Sequence, residues 1–288
     1  MTTLAENLKN KQTAIAFASG FFGFFHHAGV LAALTGSGIY PRRITGTSAG
    51  AIVAGMYASG MEPDAICKSL LKIKRSDFQD LHFPFTPNGF SFLAGNKFMA
   101  TLADILPVHS FEACKIPCST GVYDLKQGRV HYINKGSLLK GICASCAVPY
   151  MFAPVTIDGR IYWDGGFAEK TPLAPLMDDD NIETVIISYL PPRETRQKDN
   201  KRGIGSFLPH PKTFFAHTPL QERIERDEVS VGILRERGKE VIILAPQRVW
   251  MGPFSLSRGA RSMEQARTLT LQMLESGDSL LLGSQYLK

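Results

Sequence analysis

Twice near its start this chain runs from a short apolar stretch through a glycine turn into a helical pattern. That repetition constrains the fold more than any other feature. Residues 13–18 (TAIAFA) are apolar and end in Ser19-Gly20, and after Gly23 the apolar positions Val30, Leu31 and Leu34 recur at helical spacing. The second unit passes from Arg43-Ile44-Thr45 into Gly46-Thr47-Ser48-Ala49-Gly50, then along an apolar helix over 51–59 closed by Gly60. Further strands are expected at 117–123, 129–133, 184–189 and 240–244, with a hairpin joining 155–157 to 160–162. Helices are expected near 137–144, 221–236 and 262–275. Strands alternating with helices predict a three-layer α/β/α fold whose central sheet is mostly parallel and covered on both faces. The stretch 193–211 is rich in charge, Gly and Pro without periodicity, and reads as a long surface loop.

Composition narrows the class. With 288 residues, 44% hydrophobic and 20% charged, the chain can bury a substantial core around a single sheet. No stretch approaches the roughly 18 uninterrupted apolar residues of a membrane span, and residues 1–12 lack an apolar signal core. The expectation is a cytoplasmic protein, or one exported without a cleaved signal. The five cysteines (Cys67, Cys114, Cys118, Cys143, Cys146) read as reduced thiols. The pairs Cys114/Cys118 and Cys143/Cys146 have spacings that zinc could use, but packing as small apolar side chains is preferred, and no metal or cofactor is expected. The net charge of +6 allows a peripheral attraction to anionic membrane surfaces, or simply a solvated basic face. No nucleic-acid module is recognisable.

Three local constellations carry chemistry. A Ser at a sharp strand-to-helix turn, as Ser48 is between Gly46 and Gly50, carries its hydroxyl on a strained backbone above the sheet at the positive end of a helix. Ser48 could equally be the N-cap of that helix. Backbone N–H groups of the turn Gly20-Phe21-Phe22-Gly23 could cradle a developing oxyanion, and the same turn could be ordinary packing. A dinucleotide turn is disfavoured, because Ala18 stands at the first motif glycine and no Asp or Glu occurs between Glu6 and Glu62, so no nucleotide is expected. Asp164, before Gly165 and Gly166, sits on a turn that glycine makes feasible, and alone that is only a turn.

In this order and context the three elements resemble the patatin-like phospholipase family. The connecting residues match as well: Ala144-Ser145-Cys146-Ala147-Val148-Pro149-Tyr150-Met151-Phe152-Ala153-Pro154 is similar to the family's approach to its acidic turn. Phe24-Phe25-His26-His27-Ala28-Gly29-Val30-Leu31 is similar to the start of its first helix. The resemblance implies the patatin-like variant of the hydrolase architecture, with a core over 13–176 and a region 177–288 completing the same domain. It also implies Ser48 as nucleophile, Asp164 as base and the Gly20 to Gly23 turn as oxyanion hole. The family's loop is richer in glycine and often carries an Arg, where this chain has Ala18, Ser19 and Phe22.

The chemistry so implied is a Ser–Asp dyad hydrolysing lipid or phospholipid esters. A Ser-Asp-His triad would need His210 or His217, the histidines after Asp164, while His26 and His27 read as structural. Phe21, Phe22, Phe24 and Phe25 surround the turn, and Phe83, Phe85, Phe90, Phe92 and Phe98 crowd a later stretch expected either to cover the cleft or meet a lipid surface, or else to pack in the core. The other readings are a silent lipid-binding module and a small-ester esterase or thioesterase. The oligomeric state is not legible.

Overall fold

The computed structural model describes residues 2–81, 85–86, 89–191 and 220–276. A short helix α1 (Leu4–Lys9) opens the chain, its first turn closed by reciprocal bonds between Thr3 and Glu6. Then come β1 (Thr13–Phe17), α2 (Phe24–Gly36), β2 (Arg43–Thr47) and α3 (Ala49–Ala58), so both opening units form as expected. Next are α4 (Pro63–Lys72), β3 (Phe85–Thr86), β4 (Gly89–Leu93), α5 (Asn96–Ile105), β5 (Cys118–Asp124), β6 (Arg129–Ile133) and α6 (Leu138–Ser145). The chain continues through β7 (Tyr150–Phe152), β8 (Val155–Ile157), β9 (Arg160–Asp164), α7 (Ala174–Met177), β10 (Thr184–Ser188), α8 (Leu220–Glu236), β11 (Glu240–Leu244) and α9 (Gly259–Ser276).

The main sheet has the order β11-β10-β1-β2-β5-β9-β8, with β6 also paired to β5. From β11 to β5 every pairing is parallel, and β6, β9 and β8 join antiparallel. Every residue of β1 is buried, because helices cover both faces. Ile15 and Phe17 pack in one core with Leu31 of α2, Val53 of α3 and Ala266 of α9. Ala14 and Ala16 pack in the other, with Val231 and Leu234 of α8. Strand residues alternate between the two cores, which is the physical content of three layers. Strands β10 and β11, from beyond residue 177, extend this same sheet.

One register decides where the chemistry can sit. A single edge of β5 serves two strands: residues 118–121 pair with β2 and residues 122–124 with β9, while β6 occupies the opposite edge. Thr47 lies opposite Gly121 and Asp164 opposite the next residue, Val122. Neighbouring residues on a strand are about 3.3 Å apart, so β2 and β9 meet end to end. The residue after Thr47 therefore comes out beside Asp164.

The phenylalanine-rich stretch does more than the sequence suggested. Strands β3 and β4 pair with each other and β4 with β7 as a small second sheet, and α5 follows. Phe98 of α5 is buried, whereas Phe92 is 55% exposed. Phe83, the expected loop over 193–211, and His210 and His217 lie outside the described residues.

Candidate active site

The elbow follows from β2 ending where α3 begins. Ser48 between them has φ 56° and ψ −123°, a conformation costly for any residue with a side chain. Two contacts from the end of α6 hold it there. The Ser48 N–H donates to Ser145 Oγ at 2.8 Å, and Ser145 Oγ in turn donates to the Gly121 carbonyl at 2.7 Å. The Cys146 thiol donates to the Ser48 carbonyl at 3.2 Å. The glycines on either side permit close packing. A Cβ on Gly50 would stand 2.4 Å from the Phe17 carbonyl oxygen, and one on Gly46 would stand 2.4 Å from the Gly50 carbonyl oxygen. Ser48 does not cap α3 with its side chain. Its hydroxyl instead lies close enough to the Asp164 carboxylate to pull that group's pKa down, and both residues line one cavity.

Asp164 ends β9 and is only 4% exposed. Its N–H donates to the Ala147 carbonyl at 2.9 Å, and its Oδ1 accepts from the Gly166 N–H at 2.7 Å. Burial pushes its pKa up to about 7, against the opposing pull of the Ser48 hydroxyl, the Gly166 amide and the positive charge of Arg223. Gly165 packs against the Gly121 backbone, as Gly46 and Gly50 pack against their neighbours.

The glycine turn after β1 is joined directly to the acidic turn. The Ser19 N–H donates to the Lys170 carbonyl at 2.6 Å, and a Cβ on Gly166 would stand 2.5 Å from the Ser19 Cβ. Within the turn the Gly23 N–H closes onto the Gly20 carbonyl at 2.8 Å, so that amide is engaged. The N–H groups of Gly20, Phe21 and Phe22 have no acceptor among the described residues. Phe22 sits at φ 53°, where glycine would be at ease. Its ring explains the tolerance: it packs on Phe78 at a centroid distance of 5.4 Å and on Phe21 at 4.7 Å.

Ser48 lies where two cavities meet. The larger, about 820 Å³, is lined by Phe21, Phe22, Ile52, Phe98, Met151 and Phe152 among others. The smaller, about 390 Å³, adds Ser19, Gly20, Asp164, Gly166 and Arg223. Both lie beyond the carboxyl ends of β1 and β2, where open α/β sheets place their ligands.

Other candidates resolve structurally. His27 bridges the Ala18 carbonyl at 2.9 Å and Ser188 Oγ at 2.8 Å, tying α2 to β1 and β10, and burial pushes its pKa down to about 3. The five cysteines are unpaired thiols. Among the described residues no group of three or more His, Cys, Asp or Glu side chains is placed to hold a metal ion. No helix among them is long and apolar enough to cross a membrane. Two contributors are not evident from the sequence. Ser145 is visible there only as part of a matching stretch, and Arg223 of α8 carries no local signal at all.

A parallel-centred α/β sheet with a serine elbow, an acidic turn and a free-amide loop at its carboxyl edge defines a class of α/β protein. Within that class the chain belongs to the patatin-like phospholipase family, whose family model matches residues 15–177. An uncharacterized NTE family protein of Mycobacterium tuberculosis is 29% identical over 177 residues, covering 62% of this chain and 49% of the relative. The omega-hydroxyceramide transacylase of Mus musculus is 28% identical over 189 residues, 59% of this chain and 30% of the relative. A lysophospholipase of Scheffersomyces stipitis is 25% identical over 180 residues, 60% of this chain and 11% of the relative. The chain spans about half the length of the mycobacterial relatives it matches. In structure it is similar to VipD from Legionella pneumophila, with a TM-score of 0.51 at 12% identity over 92% of this chain and 66% of that one. That likeness concerns the fold.

Proposed function

We propose that the chain is a lipid acyl-hydrolase that works through an acyl-enzyme on Ser48 with Asp164 as base. One observation carries the proposal: β2 and β9 end side by side on β5, so the Ser48 hydroxyl stands next to the buried Asp164 carboxylate at the mouth of an apolar cavity, beside three amides without acceptors among the described residues. Ser48 Oγ attacks the ester carbonyl as its proton passes to Asp164 Oδ, and the carbonyl oxygen becomes an oxyanion among the N–H groups of Gly20, Phe21 and Phe22. Collapse expels the alcohol, which takes the proton from Asp164. Asp164 then draws a proton from water, the hydroxide adds to the acyl carbon, and Ser48 leaves with that proton. The ten-residue helix α3 points its positive end at Ser48 throughout.

The wider cavity suits the acyl chain, since its lining is dominated by aromatic and aliphatic side chains. Around its mouth Leu81 is 83% and Phe254 80% exposed, with Arg75 stacked on the Phe254 ring at 4.2 Å and Lys97 nearby in the wall. Exposed apolar side chains among cations suit peripheral contact with a phospholipid surface.

Ser48→Ala is the direct test. With nitrophenyl esters of increasing chain length, the wild-type protein is expected to give kcat/KM rising from acetate to decanoate. The variant should fall at least about 10³-fold with an unchanged melting temperature. Equal turnover by both proteins would refute the reading. Lipid binding by both proteins with turnover by neither would favour a silent lipid-binding module.

A further inference from the structure

A substrate whose acyl chain fills the larger cavity must send its remaining limb elsewhere from Ser48, and the smaller cavity is the space on offer. We propose that Arg223 makes this smaller cavity a subsite for an anionic, phosphate-bearing leaving group, so that the preferred ester has a negatively charged head and not a neutral glycerol. The inference rests on the reading that Ser48 carries the acyl group.

Arg223 stands on α8, outside the matched family region, and lines the cavity with Ser19, Gly20, Ser48 and Asp164. Its guanidinium donates through Nη1 to the Gly166 carbonyl, which fixes it against the acidic turn. It makes no salt bridge among the described residues, and its buried Nε has no hydrogen-bond partner there. The two acids whose charge it feels are otherwise engaged. Asp227 accepts from the Thr171 N–H at 3.1 Å and from Thr171 Oγ1 at 2.6 Å, while Asp164 accepts from the Gly166 N–H at 2.7 Å and stands beside the Ser48 hydroxyl. A partly buried guanidinium without a contacting counter-charge is costly, and an anion in the cavity removes that cost. The planar fork suits phosphate oxygens better than it suits hydroxyls. Asp164 would repel such an anion only while ionised. On taking the Ser48 proton it becomes neutral, so the repulsion is absent in the tetrahedral intermediate and returns as the alcohol takes that proton, which favours release of the head.

Binding to the Ser48→Ala protein reads the subsite without catalysis. By titration calorimetry, hexanoyl-glycerol 3-phosphate is expected to bind about tenfold or more tightly than hexanoylglycerol. Adding Arg223→Gln should erase that ratio, and Arg223→Lys should keep part of it. Equal affinity for the charged and uncharged esters in Ser48→Ala overturns the proposal, and that comparison needs no Arg223 variant to fold. Glycerol 3-phosphate should displace the charged ester at lower concentration than inorganic phosphate does. Equal displacement would assign the site to the free anion and overturn the head-group reading. If the wild type hydrolyses no ester, the proposed activity fails while the binding ratio still reads the subsite. If it hydrolyses charged and uncharged esters alike and the ratio is absent, the subsite alone fails.

Discussion

Asp164→Asn is expected to lower kcat/KM for a medium-chain ester about 10³-fold at pH 8 while raising the melting temperature at that pH. Both effects come from one carboxyl group. An amide of the same shape can still accept the Gly166 N–H, but it cannot take the Ser48 proton. The stability effect follows from burial, which lifts the folded-state pKa to about 7 from the ordinary 3.8. Between those two values the folded protein binds a proton that the unfolded chain has released. The contribution of Asp164 is therefore fully present below about 4 and is lost as pH rises through about 7. Above that pH the wild type holds a buried charge and the Asn variant does not. The variant should melt at least roughly 2 °C higher at pH 8.5, with the gap closing toward pH 4. Wild-type kcat/KM should rise with pH through about 7, since only the ionised carboxylate accepts a proton. Calorimetric scans and ester kinetics across this range check both halves. A variant that is both inactive and less stable at pH 8.5 would mean that the carboxylate is a structural anchor.

Gly50→Val should cost about 3 kcal/mol or more and abolish turnover. A side chain there meets the Phe17 carbonyl oxygen at 2.4 Å and the Phe17 Cβ at 2.7 Å, so either α3 must lift from β1 or the elbow must open. Both movements carry Ser48 away from Asp164. Gly36→Ala is the control, because nothing lies within 4 Å of a Cβ at Gly36 and Ala favours a helix. Chemical denaturation of the two variants should differ accordingly, and comparable stabilities would show that the close approach of α3 to β1 is not required.

Local sequence carries some of this architecture and not the rest. The opening units are legible because apolar strands, glycine turns and helical spacing are short-range signals, and Ser48 stands out on that basis alone. The role of Asp164 is implied only by resemblance, since its meeting with Ser48 depends on β2 and β9 sharing one edge of β5. The turn after β1 is readable as a row of amides, but the bond closing Gly23 onto Gly20 depends on backbone angles. Helix α5 and strands β3 and β4 escape notice because their phenylalanines form an apolar crowd without clear periodicity. Arg223 is invisible because α8 is polar along most of its length and finds its partner at Gly166 only in the tertiary structure.

The central claim, that the serine of the elbow carries the acyl group, is tested most directly by reaction with an alkyl fluorophosphonate and subsequent peptide mapping. The account predicts a single adduct on Ser48, formed by the wild type, strongly slowed in Asp164→Asn and absent in Ser48→Ala. Labelling of another residue, or equal labelling of wild type and Ser48→Ala, would contradict it.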